Sequence, residues 1–106
     1  MNNIEEIQAT LPREELLLQL AEECTELAKA AMKLRRAETK INPTPTTTDE
    51  AYKNLLEEIA DVALCLKVLG IGTPEEMLTI HRTMILKEGR WAMRLNEREK
   101  KENDHA

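Results

Sequence analysis

Apolar side chains recur along the first half of the chain at steps of three and four. Leu16, Leu20, Leu27, Ala30 and Leu34 form one row, and Glu23 is the single acid within it. That period puts the row on one face of a helix, which Leu17, Cys24 and Ala31 widen. Nothing breaks the helix between Pro12 and about Glu38; Pro12 fits its first turn, with Thr10 or Leu11 just outside. The break comes at 41–48, Ile41-Asn42-Pro43-Thr44-Pro45-Thr46-Thr47-Thr48, where two prolines cannot continue a helix. Thr47, followed three residues later by Glu50, is the start signal of a second helix. Tyr52, Leu55, Leu56, Ile59, Val62, Ala63, Leu66 and Leu69 give it an apolar character, and Gly70 and Gly72 end it. Thr73-Pro74-Glu75-Glu76 opens a third helix, with Thr as N-cap, Pro at the first helical position and Glu at the third. It runs to about Lys100, with Met77, Ile80, Met84 and Trp91 on its apolar face. Residues 1–11 are expected to be weakly ordered, with at most a short helix, and residues 102–106 to form a frayed tail.

Composition agrees with an all-α fold. The chain has 106 residues, enough for a single domain, with 3 Gly, 4 Pro, no Phe and 2% aromatics. Strand cores use β-branched and aromatic residues, whereas Leu, Ala, Glu, Lys and Met favour helix. The expected architecture is an antiparallel helical bundle. Three helices with such broad apolar faces are too many for so small a monomer to cover, so the bundle is expected to be completed in a homodimer or homotetramer. The net charge of −5 argues against binding a nucleic acid polymer. No apolar run is long enough to span a membrane, and the N-terminal residues do not resemble a secretion signal, so a cytoplasmic location is expected. Cys24 and Cys65 are not a Cys-x-x-Cys pair and are expected to be reduced core thiols.

The chemistry lies in two acid pairs. Glu23 and Glu26 are three residues apart on the first long helix, and Glu58 and Asp61 repeat that spacing on the second. Each pair leans over one helix face. Asp is a poor mid-helix residue, and Asp61 interrupts a segment from Ile59 to Ile71 whose only other charge is Lys67. Converging carboxylates repel and resist desolvation, and a hard divalent cation relieves both problems. A di-iron site needs Glu-x-x-His on two helices, which neither His81 nor His105 supplies. All-oxygen ligation favours Mg²⁺, with Mn²⁺ as a substitute.

Glu22-Glu23-Cys24-Thr25-Glu26 followed by Glu58-Ile59-Ala60-Asp61 resembles the E-E-x-x-E … E-x-x-D signature of the MazG-like, all-α nucleotide pyrophosphohydrolases. The resemblance covers roughly residues 14 to 95, with a Pro/Thr connection that sets the two halves further apart than in compact members. It implies hydrolysis between the α- and β-phosphates of a nucleoside or deoxynucleoside triphosphate, giving the monophosphate and pyrophosphate. It further implies that Glu23, Glu26, Glu58 and Asp61 bind Mg²⁺. Glu26 is the candidate base or base-orienter, with Glu22 behind it.

Lys87, Arg90, Arg94, Arg98 and Lys101 recur at helical steps and form a basic face. Lys87, Arg90 and Arg94 are candidates for phosphate contact, the alternative being a solvated face. The segment around them resembles the late K-x-x-R-W-x-x-R-L stretch of phage and prophage members of the same family. Trp91, the only indole, is either a base-stacking residue or a packing residue. Two other functions stay open. One is a phosphoribosyl-ATP pyrophosphohydrolase, against which Asp61-Val62-Ala63-Leu64-Cys65 lacks the aromatic and His that follow the Asp there. The other is a non-catalytic helical interaction module.

Overall fold

A computed structural model describes residues 1–104. Among these residues the chain is all-helical, with α1 over Asn3–Thr10, α2 over Arg13–Thr39, α3 over Thr48–Leu69 and α4 over Pro74–Asp104. They fall into two compact units, the first Met1–Ile71 with α1 to α3, the second beginning at Gly72 and holding α4.

In the first unit α2 and α3 form an antiparallel pair. Two hydrogen bonds fix its ends: the Thr48 hydroxyl donates to the Ala37 carbonyl beside the loop (3.4 Å), and the Arg13 guanidinium donates to the Leu69 carbonyl at the far end (3.4 Å). The inward row of α2 is the one its sequence period marks. Leu16, Leu20, Glu23, Leu27 and Leu34 are half-buried, and Ala30 and Ala37 are buried. On α3 the matching face is Ala51, Asn54, Leu55, Glu58, Val62, Cys65 and Leu69. Small residues dominate the tightest points, and Ala51 is 0% exposed. Missing side-chain bulk lets two helices approach closely and leaves a seam with few large apolar groups.

The ends of these helices obey local chemistry. The Thr47 hydroxyl accepts from the Glu50 N–H (3.2 Å) and starts α3. Gly70, at φ 75°, ends α3 with a left-handed residue; the Gly70 N–H bonds to the Lys67 carbonyl and the Ile71 N–H to that of Leu66, which satisfies carbonyls the helix leaves open. α2 ends at Lys40, also left-handed at φ 56°, whose N–H bonds to the Arg36 carbonyl. Pro12 is the N-cap of α2 and not a residue of its first turn, because its ψ of 158° is extended.

Three features differ from the sequence pattern. Residues 1–11 hold an eight-residue helix, capped where the Asn2 side chain accepts from the Glu5 N–H (2.8 Å). It docks on the end of α3, where the Gln8 amide donates to the Val68 carbonyl (2.9 Å). That tertiary anchor is invisible to local periodicity. Leu17, Cys24 and Ala31 are exposed, because they sit roughly a quarter-turn off the inward row of α2. Cys24 is therefore not a core thiol, although both cysteines are free as expected. Finally, α4 continues through Asp104, past the expected end near Lys100; His105 and Ala106 lie outside the described residues.

In the second unit, the start of α4 is a reciprocal cap. The Thr73 hydroxyl accepts from the Glu76 N–H (3.2 Å), while the Glu76 carboxylate accepts from the N–H groups of Gly72 and Thr73, each at 3.0 Å. Those backbone donors hold the Glu76 carboxyl below its usual range.

The close α2–α3 seam predicts intolerance to bulk. Ala51→Leu should destabilise the protein by about 1–3 kcal/mol through overpacking, measured as a lowered urea midpoint with an unchanged m-value.

Candidate metal centre

The antiparallel register of α2 and α3 brings the two acid-bearing turns opposite one another. Glu23 comes from α2, and Glu58 and Asp61 come from α3, one turn apart. One ligand oxygen from each of the three lies within 4.8 Å of the others. Glu23 and Glu58 are half-buried and Asp61 is exposed, so the cluster sits at the rim of the seam. The Gln19 amide donates to Glu23 Oε1 (2.9 Å) from one turn earlier, which steadies that side chain.

Glu58 is the electrostatic centre of the group. Its Oε2 is buried and has no hydrogen-bond partner. Burial raises its pKa above the ordinary value of 4.5, and the charges of Asp61, Glu23 and Glu26 raise it further. Cys65, one turn beyond Asp61, feels the same environment. Burial first, then the charges of Glu23 and Asp61, push its thiol upward. A buried carboxylate oxygen without a donor is an acceptor waiting for a cation or a proton. Three oxygens converging from two helices suit a hard divalent ion, which accepts further oxygens from water or phosphate.

Glu26 stands apart. Its charge reaches Glu58, but its Oε1 is turned to the Lys29 ammonium at 3.2 Å. With side chains 51% and 64% exposed, that pair contributes little stability and is easily exchanged. Glu22, the other sequence-predicted catalytic candidate, is exposed on α2, off the inward row of Glu23.

The structure also brings to the acids a set of side chains that the sequence analysis passed over. A cavity of about 340 Å³ beside Glu26 and Glu58 is lined by Lys29, Lys33 and Arg36 from α2 and by Asn54 from α3. The signal was present in the chain: 29, 33 and 36 are spaced four and three, one face of a helix. A larger cavity, about 430 Å³, lies at the Pro/Thr loop between Arg36, Lys40 and Thr44 to Thr48, but no carboxylate lines it. It is no cation site.

Lys87, Arg90, Trp91 and Arg94, the sequence-predicted substrate contacts, lie on α4 in the second unit and share one face of that helix by register. Further along, Arg98 pairs with Glu102 of the same helix (3.8 Å). No helix among the described residues is long and apolar enough to cross a membrane. Compared with protein-family models, with curated proteins and with solved structures, the chain matches none.

Proposed function

We propose that this chain is a Mg²⁺-dependent nucleoside triphosphate pyrophosphohydrolase of the MazG-like kind, acting in the cytoplasm. The observation that carries the proposal is the unpartnered, buried oxygen of Glu58, which lies beside Asp61 of α3 and faces Glu23 of α2. A decorative acid on a helix surface leaves both oxygens open to water; here Oε2 is buried. The motif resemblance adds the substrate, a ribo- or deoxyribonucleoside triphosphate.

In this proposal Glu23, Glu58 and Asp61 hold the cation, and Glu26 swings from Lys29 to join them or to serve the attacking water. The ion supplies neutralisation of the triphosphate and a lowered pKa for a bound water. Water attacks the α-phosphorus in line, and the bond to the α,β-bridging oxygen breaks. The products are the nucleoside monophosphate and pyrophosphate. Glu26 takes the water's proton, an assignment that its exposed, weakly paired carboxylate supports. Glu22, one turn before Glu26, orients it.

Exposed apolar residues in the first unit support a homodimer or homotetramer. Leu56 is 49% exposed and Ile59 46%, and with Tyr52 and Ala63 they form a row beside the inward face of α3.

Pyrophosphate release from nucleoside triphosphates should require Mg²⁺ or Mn²⁺, and Glu58→Gln should reduce it by more than ~100-fold. A protein that released none under any divalent ion would be a binding module and not an enzyme.

The same substitution should act oppositely on stability without metal. A folded-state pKa raised above 4.5 means that Glu58 supports folding fully below that value and withdraws support as pH rises through the raised one. At neutral pH without divalent ions, Glu58→Gln should therefore melt higher than wild type. Added Mg²⁺ should raise the wild-type melting temperature and leave that of the variant unmoved.

Sedimentation equilibrium should give a mass above the 12.1 kDa of one chain. Leu56→Glu combined with Ile59→Glu should shift it towards monomer by placing charge in the apolar contact.

A further inference from the structure

We infer that the α2 cations Lys29, Lys33 and Arg36, in the cavity beside Glu26 and Glu58, are the subsite for the phosphate tail of the metal-bound nucleotide. The inference rests on the proposed role of the acid cluster and assigns the neighbouring wall.

One helical row carries the whole device. Glu22, Glu26, Lys29, Lys33 and Arg36 follow steps of four, three, four and three, so they share a face of α2, and Lys40 follows at its C-cap. The row is polarised: acids occupy its N-terminal end, at the cluster, and only cations follow. At a rise of ~1.5 Å per residue, Lys33 stands about 10 Å beyond Glu26 along the axis. A triphosphate anchored by metal at the acid end therefore lies along the first cations of the row, with its outermost phosphate facing Lys33. Arg36 stands further out, within reach through its longer side chain and forked donors.

The cations lack internal partners. Among the described residues neither Lys33 nor Arg36 forms an ion pair, and Lys29 pairs only with the exchangeable Glu26. The neighbours of Lys33 one turn away on α2 are Lys29, Ala30, Arg36 and Ala37; those of Arg36 are Met32, Lys33, Thr39 and Lys40. Neither set contains an acid. Like charges at these spacings destabilise a helix. Arg98 of α4, by contrast, has an acid one turn away, Glu102, and pairs with it. From α3, Asn54 and Glu58 complete the cavity, and Glu58 is the only carboxylate that helix contributes. Bound anionic oxygens would relieve the repulsion among the cations, as bound cation would among the acids.

Movement of Glu26 links the two halves. When Glu26 turns to the metal or the water, the Lys29 ammonium loses its 3.2 Å partner and becomes a donor to phosphate. Cation binding at the acid end thereby prepares the anion end.

Inorganic pyrophosphate, binding calorimetry and saturating Mg²⁺ test this directly. Lys33→Gln combined with Arg36→Gln changes two exposed residues to a good helix former, so the fold is retained, as circular dichroism would verify. The variant should bind pyrophosphate roughly 100-fold more weakly, yet bind Mg²⁺ alone no less tightly than wild type. Glu58→Gln should lose both. A parallel variant replacing Lys87, Arg90 and Arg94 by Gln tests α4. Full pyrophosphate affinity in the α2 variant would overturn the inference, and loss only in the α4 variant would move the subsite there; either leaves the metal site standing. Wild-type protein that binds no Mg²⁺ would bring down the metal site and this subsite together.

Discussion

Three carboxylates crowd the seam between α2 and α3, and among the described residues no lysine or arginine pairs with any of them. Glu58 has a buried oxygen without a donor, and Glu23 and Asp61 present oxygens within 4.8 Å of one another and of Glu58. Nearby Lys29 is aimed at Glu26 and not at the three. Converging acids on a folding interface are a standing cost, since each raises the free energy of ionising its neighbours. Few apolar side chains are buried to offset that cost: Ala30, Ala37, Ala51, Val68 and Leu69 among the described residues. Small side chains set the helices close, closeness brings the acids together, and the acids then want a counter-charge that the chain withholds from them.

That arrangement gives α2 two jobs on two faces. Its inward row, Leu16 to Ala37, packs on α3 and delivers Glu23 to the cluster. The adjoining row, Glu22 to Arg36, runs along the rim of the seam and changes sign midway. Metal and phosphate need opposite potentials a few ångströms apart, and in the proposed site one helix would supply both with no Gly-rich loop. The Pro/Thr connection follows Lys40 and lets α3 return antiparallel, so its length leaves the meeting of Glu23 with Glu58 and Asp61 undisturbed.

Much of this was legible in the chain because it is local. Thr47 and Thr73 cap helices, Gly70 ends one, and the row from Leu16 to Leu34 faces inward, each as its neighbours in sequence dictate. Of the four acids in the E-x-x-E and E-x-x-D echo, Glu23, Glu58 and Asp61 lie together across the α2–α3 pair. The echo did not foretell that Glu26, on the same spacing, turns to Lys29; rotamer choice at an exposed position depends on neighbours of similar energy, which spacing does not rank. Docking of α1 was hidden because it depends on the Val68 carbonyl, 60 residues away. The basic residues of α4 drew notice as a stripe interleaved with Trp91, while the shorter stripe of α2 was masked by the alanines between its members. Only the pairing of α2 with α3 reveals that its cavity contains Glu58.

Glu26 is the point on which the proposed chemistry turns. A permanent metal ligand needs its lone pairs directed inward, whereas a base needs a free oxygen when the substrate arrives. An exposed carboxylate held by one lysine at 3.2 Å meets the second requirement at small cost, because a surface pair is worth about 0–1 kcal/mol. Glu58 fits the first, since its Oε2 is buried and has no hydrogen-bond partner. In the proposed site, environment thus separates two glutamates into a fixed ligand, Glu58, and a movable one, Glu26. Lys29, the partner of Glu26 at 3.2 Å, is the first cation of the row that the proposed phosphate tail would meet.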